Sequence, residues 1–154
     1  MKLEIRDILS SIEFGEGKKR ERSILSIAMI IEMNSLCLSE AERVSRYSML
    51  LDPTLLSLHL NRTEHVEIAE ELSRIFIESK KILNGIIWAI GKTDGDSGLI
   101  PLLNIILCRS DDFNADHISQ ASLSLEKILF NIEESDFEKY SLLNNKKIVD
   151  FLSF

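Results

Sequence analysis

Along this chain apolar residues recur at the three- and four-residue spacing of helices, and no run alternates apolar with polar positions as a half-buried strand does. A short amphipathic start, MKLEIRDILSS, leads into SILSIAMIIEM at residues 23–33, which is apolar on nearly every side and predicts a central helix. Ser39 and Glu42 then stand at capping-box spacing, and Ala41, Val44, Ser48 and Leu51 trace one face of the helix they open. Asp52 followed by Pro53 supplies an N-cap with proline at the first helical position, so a further helix is expected over TLLSLHL. Asn61 and Glu64 repeat the capping-box spacing ahead of a stripe of Val66, Ala69, Leu72, Ile75 and Phe76. The polar side of that helix carries Glu64, Glu67, Glu70, Glu71 and Arg74.

Residues 82–107 break the pattern by holding four of the six glycines, the single Trp and one of the two prolines. Ile82, Gly85, Ile86, Ala89 and Ile90 keep helical spacing, and the small residues Gly85 and Ala89 predict that a neighbouring helix presses on that face. Gly91 falls where the periodic pattern stops, as a C-cap residue with positive φ would. Asp96 is placed to cap the next helix, and Pro101 is expected to bend it. Ile118, Ala121, Ser122 and Leu125 repeat the positions of Ile82, Gly85, Ile86 and Ala89 at an offset of 36 residues, with DDFNAD as the turn between. That offset suits two-helix repeats, with 80–92 and 117–132 as consecutive second helices. The tail FEKYSLLNNKKIVDFLSF reads as a closing helix whose Phe151, Leu152 and Phe154 cover the last unit.

WAIGKTDGDSGLIPLL, residues 88–103, resembles the signature of the short bacterial HEAT-like repeat, in which alanine, leucine, glycine and lysine precede a Gly-Asp turn and a proline follows five residues later. The chain departs from it by one extra residue around Asp94 and by Ile86, Ile87 and Trp88 where the repeat has small residues. The resemblance extends over residues 80–132. It implies an all-α protein, with antiparallel helix pairs stacked as a short α-α superhelix within one domain spanning 1–154, and a surface that binds rather than catalyses.

Composition changes this picture little: 45% hydrophobic and 28% charged residues describe an ordinary globular chain. The N-terminus lacks the apolar core of a signal peptide, and no apolar run approaches the length that spans a bilayer, so cytoplasmic residence without membrane association is expected. Cys37 and Cys108 have neither disulfide-framework nor CxxC spacing and read as buried, reduced thiols. His59, His65 and His117 form no HExxH or tight cluster, and His65 reads as a surface imidazole at a helix start. Neither GxSxG nor a Walker loop occurs. No catalytic residue, metal or cofactor is therefore expected, and the chain reads as non-enzymatic. The basic pentad KKRER at 18–22 reads as a solvated turn rather than a nucleic-acid patch.

Charge distribution is more telling than the net of −7. Between Thr93 and Glu138, Asp94, Asp96, Asp111, Asp112, Asp116, Glu126, Glu133, Glu134, Asp136 and Glu138 face only Arg109 and Lys127. Such a field repels a phosphate backbone and attracts a basic protein. Of these acids, all but Glu126 are the expected partner-binding residues. In size, acidity and lack of catalytic motifs the chain is similar to bacterial immunity proteins of toxin systems, which implies a cognate toxin domain, such as a nuclease, as its basic partner. HEAT-like repeats also occur in phycobilin lyases and in scaffold or adaptor subunits; a lyase-like role would put Trp88 in a chromophore cleft, whereas a Trp just before a helix C-cap ordinarily packs in a core.

Overall fold

A computed structural model describes residues 1–132 and 146–152. Glu133, Glu134, Asp136, Glu138 and Phe154 lie outside the described residues. The described residues are all-helical: α1 (Leu3–Phe14), α2 (Gly17–Ser35), α3 (Glu40–Tyr47), α4 (Pro53–Leu56), α5 (Arg62–Glu78), α6 (Asn84–Ile90), α7 (Leu99–Arg109), a 3-10 turn at Ser110–Asp112, α8 (Ala115–Phe130) and α9 (Lys146–Leu152). None of them is long and apolar enough to cross a membrane.

Ile5, Leu9 and Ile12 recur along one face of α1 and are buried. They meet α2, whose Ile24, Ile27, Ile30 and Ile31 are buried in the same core. Each such side chain removed from water contributes about 1.5–3 kcal/mol. Only Gly15 and Glu16 separate α1 from α2, so the two fold back on each other. Arg20 seals the corner, donating from Nε to the carbonyl of Ile12 at 2.8 Å and from a terminal nitrogen to that of Glu13 at 3.3 Å. One member of the basic pentad is thus a cap on α1, while Lys18, Lys19 and Arg22 face solvent.

Contacts run in two successions. α2 packs on α6 and α6 on α8, while α1 meets α5, α5 meets α7 and α7 meets α9. Side-chain bonds tie neighbours within each succession: Ser73 Oγ of α5 donates to the Pro101 carbonyl of α7 at 2.9 Å, and Ser35 Oγ of α2 to the Lys92 carbonyl after α6 at 2.6 Å. Arg109 donates to the carbonyls of Phe76, Ile77 and Ser79 at 2.7–3.2 Å, at the C-terminal end of α5, where carbonyls lack partners from a following turn. Both capping boxes expected from sequence are present, at Ser39/Glu42 and Asn61/Glu64, and Asn114/His117 forms a third at the start of α8.

Several expectations are corrected. The buried face of α3 is Arg43 and Tyr47, continued by Leu51, whereas Ala41, Val44 and Ser48 are exposed. Arg43 is 2% exposed because its guanidinium is saturated: it donates to the carbonyls of Leu38, Leu56 and Leu58 and to Asn34 Oδ1. Drawing the Leu56 and Leu58 carbonyls to Arg43 also explains why the helix opened by Pro53 stops after one turn. His65 is buried rather than on the surface, at 2% exposure, and both cysteines are exposed. Cys37 sits at φ 52, two residues past the end of α2, where Cys37 and Leu38 donate their amides to the carbonyls of Asn34 and Met33. This is a Schellman turn, with Cys in the place that glycine usually takes.

The glycine-rich segment also differs in detail. Gly91 ends α6 with φ −62, not positive. Gly98 rather than Asp96 is the N-cap of α7. Pro101 lies in the first turn of that helix, where amides have no intrahelical acceptor, so no bond is lost and the expected cause of a bend is removed. Gly85 lets α6 approach α2, since a Cβ there would lie 2.8 Å from Ile24 Cγ2; the glycine facing α8 is Gly91.

Candidate functional site

The acidic residues divide into two groups. Asp94 and Asp96 occupy the turn before α7, where Asp94 is exposed and Asp96 forms an ion pair with Arg62 at the start of α5. Asp111 and Asp112 follow the other end of α7, and Asp116 lies in the first turn of α8. The 11 residues of α7 separate the two groups, a rise of about 16 Å. At the second corner the side chains of Asp111 and Asp112 are 88% and 59% exposed. Asp112 accepts from Arg109 Nε at 3.0 Å and Asp111 from Lys147 Nζ of α9 at 3.3 Å. Exposed pairs of this kind are worth at most about 1 kcal/mol, so these carboxylates can exchange partners at little cost. Asp116, also exposed, completes a corner of three carboxylates.

A second cluster, which the sequence reading did not assemble, lies across the α2, α6 and α8 succession. Glu32 of α2 accepts a hydrogen bond from Tyr47 Oη at 2.6 Å and forms an ion pair with Lys92, just past the end of α6. Lys92 Nζ also stands 4.6 Å from the centroid of the Trp88 ring, a cation–π geometry. Burial by itself raises the Glu32 carboxyl, but the hydrogen bonds from Lys92 and Tyr47 and the lysine charge outweigh it and hold the carboxyl below the ordinary glutamate range. Burial and then the bond to Glu32 push the Tyr47 phenol up to about 12. Lys127 of α8, itself an exposed residue, borders this group, and its pKa is lowered first by partial desolvation of the ammonium and then by the neighbouring Lys92 charge.

Trp88 is half-buried and lines two cavities. One, of about 420 Å³, lies between α2 and α6 and is walled by Ile24, Leu25, Ile82 and Leu83. The other, of about 300 Å³, lies between α6 and α8. Gly85 lines the first and Gly91 the second, so both close approaches of α6 open onto the Trp88 ridge. The sequence signal for this ridge was the spacing of Trp88 and Lys92, one helical turn apart; nothing local pointed to Glu32 or Lys127.

The three histidines are placed apart, each in its own setting. His59 is exposed beside Arg43, His65 is buried in α5, and His117 caps α8. Burial is the main cause that lowers the His65 pKa, partly opposed by the Asp94 and Glu64 charges. Among the described residues no three His, Cys, Asp or Glu side chains group as metal ligands would. No protein-family model, curated protein or solved structure matches the chain.

Proposed function

We propose that this chain is a non-enzymatic binding module that captures a basic protein through its acidic surface, acting in the cytoplasm as an immunity protein toward a cognate toxin domain. The observation that carries the reading is the corner formed by Asp111, Asp112 and Asp116, three exposed carboxylates opposed only by pairs too weak to hold them. A Lys- or Arg-rich surface meeting this corner replaces those pairs with intermolecular ones, and the long-range field speeds encounter. Asp94 and Asp96 extend the acidic surface to the far end of α7. The same corner repels nucleic acid.

In the same reading the helix pairs α1/α2, α5/α6 and α7/α8 are units of a short HEAT-like α-α superhelix closed by α9. The two successions of contacts support it, because stacked repeats bring first helices against first helices and second against second. Such stacking presents a rigid surface to a partner without requiring it to fold on binding.

The test is capture of the basic protein encoded beside this chain in its native host, with the parent and with Asp111→Lys/Asp112→Lys. The reading expects the complex to dissociate as salt rises and the reversed variant to lose capture at an unchanged melting temperature. Equal capture by both proteins would sink the role of the acidic corner.

A further inference from the structure

We propose that the cavity between α6 and α8 is a binding site for a carboxylate carried on an apolar stem, with the charge held by Lys127 and Lys92 and the stem laid against Trp88 and Leu123. The cavity measures about 300 Å³, at the lower end of ligand pockets. Lys92 and Lys127 are its only ionisable lining residues, in a chain whose net charge is −7. Glu32, the acid that pairs with Lys92, is also engaged by Tyr47. Glu32 pairs with Lys92 and reaches Lys127 only through its field, and among the described residues Lys127 has no ion-pair partner of its own. Lys127 is exposed and lines the same cavity as Lys92, so an entering anion reaches both ammoniums and relieves their mutual repulsion.

The rest of the lining selects the kind of anion. No arginine fork is present; Ser124 Oγ gives its one hydrogen to the Ile87 carbonyl, and Gln120 Nε2 gives one of its two to Ser124 Oγ. With Glu32 offsetting one of the two ammoniums, a monoanion matches the single surplus charge better than a phosphate dianion does. Trp88 and Leu123, the latter 59% exposed, supply the apolar part of the lining. Gly91 lines the cavity where α6 comes against Ser124 of α8. Lys127 lies about 16 Å beyond Asp116 along α8, so this site and the acidic corner are separable.

Because Trp88 is the only tryptophan, its fluorescence reports on this cavity. The full chain is titrated at low salt with hexanoate and with hexanamide, its uncharged isostere. Hexanoate should give a saturable change with a dissociation constant on the order of 1 mM, as its size allows. Hexanamide should bind at least about tenfold more weakly, a difference of about 1.4 kcal/mol. Lys127→Gln should lose the same factor at the parent's melting temperature, while Asp111→Lys/Asp112→Lys should bind hexanoate as the parent does. A terminally blocked peptide with one glutamate between leucines forms the second arm: tighter binding than hexanoate assigns the carboxylate to a protein partner, and weaker binding to a free acid. If hexanoate gives no saturable change, if the amide binds as well as the acid, or if Lys127→Gln binds hexanoate undiminished, the proposal is overturned.

Discussion

A Cβ built on Gly91 would lie 2.6 Å from Ser124 Oγ and 2.8 Å from Ser124 Cβ, so α6 touches α8 where neither can yield. Ser124 is held in place by its hydrogen bond to the Ile87 carbonyl at 3.1 Å. Since φ at Gly91 is −62, alanine is conformationally acceptable there, and its cost isolates the contact. Gly91→Ala should destabilise the protein by about 1–3 kcal/mol. In a Ser124→Gly background the penalty should largely vanish, giving a measurable coupling in a double-mutant cycle by urea unfolding. An equal penalty in both backgrounds would refute the contact as its cause.

Arg43 organises the segment between α3 and α5 through the Leu38, Leu56 and Leu58 carbonyls. Arg43→Met keeps much of the side-chain volume and strands these acceptors, together with Asn34 Oδ1. A loss of about 3 kcal/mol or more is expected. Arg46→Met, at an exposed position on the same helix, should change stability by less than about 0.5 kcal/mol. Similar unfolding midpoints for the two variants would contradict the role given to Arg43.

Stability should depend on pH in two steps. The His65 pKa is lowered by burial, so between its folded value and the ordinary value of about 6.5 the unfolded chain binds more protons. Stability from neutral His65 is complete above that ordinary value and is lost as pH falls towards the folded one. Glu13 is held below the ordinary carboxylate range by its hydrogen bond from Arg74, and Glu64 by that from Lys2. Their contribution is present above about pH 4.3 and lost as pH falls through their folded values. His65→Leu should flatten the dependence near pH 6 and leave the acid limb; a profile still sloping there would exclude His65 as the source.

Cys37 holds a left-handed conformation, which costs an L residue about 1–2 kcal/mol that glycine does not incur. Cys37→Gly should therefore raise the melting temperature by about 2–4 °C. A thiol-reactive dye should label Cys37 and Cys108 in the folded parent, as both are exposed. A lower melting temperature for the variant would show that the turn gains more from the Cys side chain than it loses in backbone strain.

What the sequence by itself determined is local: the all-helical character, the capping boxes at Ser39/Glu42 and Asn61/Glu64, and the demand for small residues on α6. A capping box closes within three residues and helical periodicity repeats within seven, so both are complete in the string. The tertiary structure alone decided which helix each glycine meets, whether Arg43 and His65 face water or core, and that Glu32, Lys92 and Lys127 share a surface. It also split the acidic residues to opposite ends of α7. Those outcomes depend on which faces distant segments bring together, since a charged side chain is buried only where carbonyls from elsewhere in the chain arrive to receive it, as those of Leu56 and Leu58 do for Arg43.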